Sequence, residues 1–215
     1  MDRVRQLLDR GTPVKWLFYG DSITHGVSHT FGWRDYVELF SERVRGELSR
    51  SMDLVINSAI SGHTTRQLLE GYAWRVEQFH PDVVFLMIGM NDCKDELKMS
   101  TDEFGDNLNQ LFDLNAGIGA LTVFQTTCPI LPGLAPEREP TFPAFMQTIR
   151  EAAGARSAPL VDHIEHWQNN EDKHHFWMSN AFHPNEYGHR AFAGLIFREL
   201  GIFDPQSSCC RLLIP

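Results

Sequence analysis

The stretch that most constrains this chain is Val83 to Ile88, VVFLMI, six apolar residues in a row between Pro81-Asp82 and Gly89. A strand with one face in water alternates polar and apolar side chains. A strand apolar throughout is covered on both faces, as in a parallel sheet with helices on either side. A second run, Trp16 to Tyr19, ends as abruptly at Gly20 and is followed by Asp21, Ser22, Ile23 and Thr24. In open α/β sheets, ligands bind outside the carboxyl ends of the strands, so Ser22 and the residues after Gly89 fall where chemistry would be done. Gly-Asp-Ser is also ordinary turn chemistry, and the tripeptide alone decides nothing.

The remaining pattern extends that frame. Asp53 to Asn57, Ala120 to Gln125 and Pro159 to Asp162 read as three further strands. Between them lie amphipathic helices. Trp33 to Ser49 carries apolar residues at helical spacing, with its aromatics assigned to the core. Leu68 to Phe79 is a second helix closed by Pro81, Phe142 to Ala153 another, and Pro184 to Leu200 the last. Ser100 and Glu103 have the spacing of a capping box opening a helix through Phe104, Leu108 and Leu111. Strands alternating with helices, without an internal repeat, predict a three-layer α/β/α sandwich around a five-stranded, mostly parallel sheet. No Walker A loop or G-x-G-x-x-G turn follows any strand, which argues against a nucleotide-binding fold. Pro129 to Pro143 contains five prolines and reads as an exposed, semi-rigid loop beside the site. His163 to His175 is polar and carries no assignable pattern.

Length and charge narrow the function. At 215 residues the chain suits one domain, taken here as 1–203, with 204–215 as a C-terminal tail. A net charge of -9 and the lack of any lysine or arginine run argue against a nucleic-acid partner. The charged start, MDRVRQLLDRG, lacks the apolar core of a signal peptide, and no apolar run is long enough for a membrane span, so a cytoplasmic location is expected. Cys93, Cys128, Cys209 and Cys210 have neither disulfide-framework nor zinc spacing. His163 with His166, and His174 with His175, lack partners at a recognised metal spacing, so no metal is expected.

Four blocks stand in order along the chain: Gly20-Asp21-Ser22, Gly62 in NSAISGHTT, Gly89-Met90-Asn91-Asp92, and His183-Pro184. Together they resemble the SGNH hydrolases, the GDSL esterase and lipase family, over nearly the whole chain. The resemblance implies the flavodoxin-like strand order 2-1-3-4-5 and a serine esterase that needs no cofactor. It implies Ser22 as nucleophile and His183 as the base that takes its proton. It also implies an oxyanion hole made by the Ser22 backbone N–H, the Gly62 backbone N–H and the Asn91 side chain. Asp21, Thr24 and Asp92 are read as residues that order the loops.

At one position the chain departs from the family pattern. The last block is normally Asp-x-x-His, and here it is Asn180-Ala181-Phe182-His183. An asparagine oxygen can accept from the imidazole, but it carries no charge, and its NH₂ could instead face the ring and favour the wrong tautomer. Three arrangements are open: a Ser-His dyad oriented by Asn180 or a backbone carbonyl, a relocated carboxylate such as Asp162 or Asp172, or an impaired enzyme. The expected substrates are small-molecule or carbohydrate esters with short acyl groups, acetyl first. A lysophospholipase or thioesterase is the runner-up, and a non-catalytic homologue binding a carbohydrate or acyl ligand is the alternative outside the enzymes.

Overall fold

The computed structural model describes residues 1–214; Pro215, the last residue of the expected tail, lies outside them. Five strands, β1 (Lys15–Gly20), β2 (Leu54–Asn57), β3 (Val83–Met87), β4 (Leu121–Gln125) and β5 (Leu160–Val161), form one sheet in the order β2-β1-β3-β4-β5. Every pairing is parallel. Helices α1 (Asp2–Asp9), α3 (Tyr36–Ser41), α4 (Thr65–Glu70), α5 (Tyr72–Arg75), α6 (Thr101–Gly117), α7 (Phe142–Ala155) and α10 (Glu186–Glu199) accompany the sheet, and α2 (Ser22–His25), α8 (His163–Gln168) and α9 (His174–Trp177) are short.

The central strands explain the order. Every residue of β3 is buried, as its uniformly apolar sequence requires, and all of β1 after Lys15 is buried beside it. Phe18 stacks on Phe85 with ring centroids 4.7 Å apart and meets Phe40 and Tyr36 of α3 edge-on. Each such ring removed from water contributes about 1.5–3 kcal/mol. The two ends of β2, Leu54 and Asn57, are exposed because it is an edge strand.

The register places the carboxyl ends side by side, with Gly20 opposite Met87 and Met87 opposite Gln125. At Gly20 the two backbones come so close that an added Cβ would lie 2.0 Å from the Met87 carbonyl oxygen. Backbone cannot yield as a flexible side chain can. Gly20→Ala is therefore expected to lower Tm by more than 10 °C or to prevent folding, at a cost of about 3 kcal/mol or more. A melting curve within 2 °C of the parent would show that the strand ends can separate.

Several helices differ from the expectation. Helix α3 starts at Tyr36, because Asp35 caps it by accepting from Val37 and Glu38 while Glu38 reaches back to the Asp35 N–H. Trp33 therefore lies outside the helix and is 61% exposed rather than in the core. After Ser41 the chain widens into a π-helical segment, Glu42–Glu47. Ser100 accepts from the Glu103 N–H at 3.1 Å, but the Glu103 carboxylate pairs with Arg66 instead of closing a capping box. The Leu68 to Phe79 helix is interrupted at Gly71 and Val76. His163 to His175 resolves into α8, one 3₁₀ turn and the start of α9, around an edge-on contact of Trp167 with Trp177. In the tail, the Cys209 N–H donates to Glu47 at 2.9 Å, and Cys209, Cys210 and Ile214 pack against the core.

The proline-rich loop is packed rather than fully exposed: Leu131, Ala135 and Arg138 are buried. Its prolines limit the backbone, and specific bonds fix the remainder. The Leu131 N–H donates to Ala181, Arg138 Nε to the Met90 carbonyl, and Thr141 Oγ1 to the Cys93 carbonyl at 2.5 Å.

Candidate active site

The chain turns sharply where β1 ends. The Asp21 side chain caps α2 by accepting from the Ile23 N–H at 3.0 Å, so Ser22 becomes the first residue of a one-turn helix whose end is set by Gly26 at φ 74°. A first helical residue has no acceptor for its N–H within the helix, which leaves the Ser22 amide pointing out of the turn. Ser22 Oγ lies 2.8 Å from His183 Nε2, although the two residues are 161 positions apart in sequence.

Asn180 determines which nitrogen of His183 carries the proton. Its Oδ1 accepts from the backbone N–H groups of Phe182 at 3.1 Å and His183 at 3.0 Å, and both of these can only donate. The atom facing His183 Nδ1 at 3.0 Å is therefore the oxygen, not the NH₂. His183 Nδ1 donates to it, and Nε2 keeps a lone pair toward the serine hydroxyl. These bonds oppose the wrong-tautomer arrangement. No relocated carboxylate takes the place either: Asp162 caps α8, accepts from Thr126, and pairs with Arg150 at 2.6 and 3.1 Å, while Asp172 is exposed on its 3₁₀ turn.

Asn91 lies against the loop that carries Gly62. Gly62 has φ 85°, a left-handed conformation that suits glycine, with nothing within 4 Å of where a Cβ would be. Asn91 Nδ2 donates to the His63 carbonyl at 3.0 Å, so the amide lies against the Gly62 loop and retains a second N–H. That loop is also tied to the Ser22 turn: the Ile60 N–H donates to the Gly20 carbonyl, Asn57 Nδ2 to the Thr24 carbonyl at 2.7 Å, and the Ser61 N–H to His25 Nδ1 at 3.3 Å. Asp92 accepts from both the N–H and the hydroxyl of Thr65 at 2.7 Å, joining the third block to α4.

Electrostatics follow from burial. His183 is pushed down to about 3, first by loss of water and then by His29 and Arg138, so its ring is neutral at pH 7. Burial raises Asp21 to about 7 and Asp92 to about 6. Burial likewise raises the thiols of Cys93, to about 12, and Cys128, which makes both poor nucleophiles. Among the described residues, no group of three or more His, Cys, Asp or Glu could hold a metal ion. No helix among them is long and apolar enough to cross a membrane. A cavity of about 430 Å³ lined by Val4, Phe112, Leu121 and Arg156 opens at the opposite end of the strands and contains none of the residues above.

Two neighbours of this cluster went unread in the sequence. Arg138 is buried, with its guanidinium 4.2 Å from the Phe182 ring centroid, and it links the third block to the fourth through Met90. The His29 ring stacks on His183 with centroids 3.6 Å apart and planes 10° from parallel. Neither has a local signature, since both contacts depend on loops meeting in space.

The five-stranded parallel sheet with its flanking helices is the α/β fold of the SGNH hydrolases. The chain matches the GDSL-like lipase/acylhydrolase family over residues 18–191 and belongs to that family. Its fold is shared with an acetylxylan esterase from Geobacillus stearothermophilus, at 24% identity and a TM-score of 0.76, covering 92% of this chain and 98% of the other. It is also shared with an alpha/beta hydrolase from the metagenome of Lake Arreo, Spain (22%, TM-score 0.77, 92% and 99%), and a lipase/acylhydrolase from Enterococcus faecalis (22%, TM-score 0.73, 91% and 100%). An uncharacterized protein of Mycoplasma pneumoniae is 36% identical over 106 residues, which is 48% of this chain and 12% of that protein.

Proposed function

We propose that this protein is a serine ester hydrolase that works through an acyl-enzyme. The observation that carries the reading is the chain of contacts from Ser22 Oγ to His183 Nε2 (2.8 Å) and from His183 Nδ1 to Asn180 Oδ1 (3.0 Å). Ser22 Oγ attacks the ester carbonyl as His183 takes its proton. The oxyanion then receives hydrogen bonds from the N–H groups of Ser22 and Gly62 and from the free N–H of Asn91. His183 returns the proton to the departing alcohol, and a water repeats the sequence to release the acid. Short acyl groups, acetyl first, are the substrate class, in line with the acetylxylan esterases that share the fold. A series of p-nitrophenyl esters tests this. Turnover should be highest for acetate, and a preference for long chains would overturn the short-acyl reading.

Burial sets the strength of the base in this mechanism, and Asn180 adds no charge to oppose it. Removed from water and facing His29 and Arg138, His183 stays neutral to far below pH 6.5, so the acid limb of kcat/KM should lie well under that value. The same low basicity slows proton abstraction. Asn180→Asp adds an opposite charge, which favours the imidazolium and raises the pKa of His183. Turnover at pH 7 should rise by about tenfold or more, and the acid limb should move to higher pH. Asp162→Asn is the control and should change turnover little. A neutral or harmful Asn180→Asp would show that the charge has no place to act.

A further inference from the structure

The loop from α2 to α3 carries two residues with left-handed backbone that are not glycine, Ser28 at φ 69° and Phe31 at φ 54°. Such conformations cost on the order of 1–3 kcal/mol each and persist where the surroundings enforce them. Burial of Phe31 is not the compensation, because its side chain is 70% exposed. What the loop holds in place is His29, between the two strained positions. Thr30, buried, ties the loop back to the Gly26 carbonyl at 3.2 Å, and the Trp33 N–H closes onto Thr30 at 3.0 Å. The His29 ring lies flat against His183, and its Nδ1 is 3.5 Å from Asn180 Nδ2.

We propose that His29 is a positioning residue that makes an uncharged asparagine serviceable beside His183, by capping the His183 ring and holding the NH₂ end of the Asn180 amide. The proposal rests on the esterase reading above. In the contact to Asn180 the amide nitrogen can only donate, so it is the neutral ring with its proton on Nε2 that accepts at Nδ1. Burial works in the same direction by lowering the pKa of His29. One effect follows. Anchoring Nδ2 adds a hold at the other end of the amide to the two backbone N–H groups on Oδ1, and so opposes the rotation that would reverse the tautomer. A carboxylate at position 180 presents oxygen either way round and would need no such anchor.

A double-mutant comparison on the full chain separates this role from simple packing. In the native background, His29→Ala should lower kcat for p-nitrophenyl acetate by about tenfold while KM stays within about twofold. In the Asn180→Asp background the same change should cost about twofold or less, because the anchored group is gone. Equal losses in the two backgrounds, or no loss in the native one, would overturn the proposal. If His29→Ala fails to fold, His29→Phe fills the same space without an Nδ1 acceptor and is judged by the same comparison. Ser22→Ala, measured alongside, separates the two levels of the argument. An inactive Ser22→Ala with an undiminished His29→Ala rejects only the positioning role. Retained turnover in Ser22→Ala rejects the esterase reading and the role of His29 with it.

Discussion

Ser22→Ala is expected to give a folded protein that turns over p-nitrophenyl acetate about 10⁴-fold or more slowly than the parent. The size of the effect follows from what the change removes. Ser22 Oγ is the atom to which His183 Nε2 is directed at 2.8 Å, and the neighbouring thiols of Cys93 and Cys128 are held protonated by burial. No other nucleophile in the cluster is ready to take its place. The fold should tolerate the change. The backbone of the turn is fixed by Asp21 and Gly26 rather than by the hydroxyl, and one hydrogen bond is worth about 1 kcal/mol. Unchanged far-UV circular dichroism and a Tm within a few degrees, with activity lost, would meet the expectation. Parental activity in the alanine variant would remove Ser22 from the mechanism.

The second large effect is expected at Asn91. Asn91→Ala should lower kcat by about 100- to 1,000-fold with a much smaller change in KM, since in the proposed mechanism the amide acts on charge that develops only as the tetrahedral intermediate forms. One N–H of Asn91 is already used on the His63 carbonyl, so part of the loss could come from slack in the Gly62 loop. Steady-state kinetics separate an effect on the transition state from one on ground-state binding. A loss confined to kcat fits oxyanion stabilisation. A loss confined to KM would assign Asn91 to holding substrate in the ground state. The Gly62 loop keeps other anchors in this variant, from Gly20, Thr24 and His25, so it should stay near its native position.

What could be read from the sequence was whatever a local pattern encodes. The sheet was legible because β1 and β3 are apolar at nearly every position, which only a doubly covered strand requires. The blocks at Ser22, Gly62, Asn91 and His183 were legible through their resemblance, taken in order, to the SGNH pattern, two of them directly after strands that run into glycine. Their meeting in space was implied by that resemblance alone, since it depends on parallel strands ending level with one another. Nor could periodicity show that the proline-rich segment turns inward around Arg138, whose partners are the Met90 carbonyl and the face of Phe182. Trp33 illustrates the reverse error. Its helical spacing with Tyr36 and Val37 suggested a core position, but Asp35 starts the helix after it.

Position 180 shows how far local reading reaches. The sequence revealed that the usual carboxylate is absent and left open which end of the amide faces the histidine. The answer lies in two backbone N–H groups, of Phe182 and His183, that claim the same oxygen. His29 remained unread because a ring stacked across 154 positions of chain leaves no periodic trace.

The account turns on a covalent intermediate at Ser22, and trapping it is the most direct measurement. The protein should be mixed with p-nitrophenyl acetate, quenched in acid within the first turnovers, digested and analysed by mass spectrometry. The account predicts one acetyl group on the peptide containing Ser22, released on longer incubation and absent from Ser22→Ala. Ester turnover with no acyl group on Ser22 at any quench time, or with the group mapped to another residue, would contradict it.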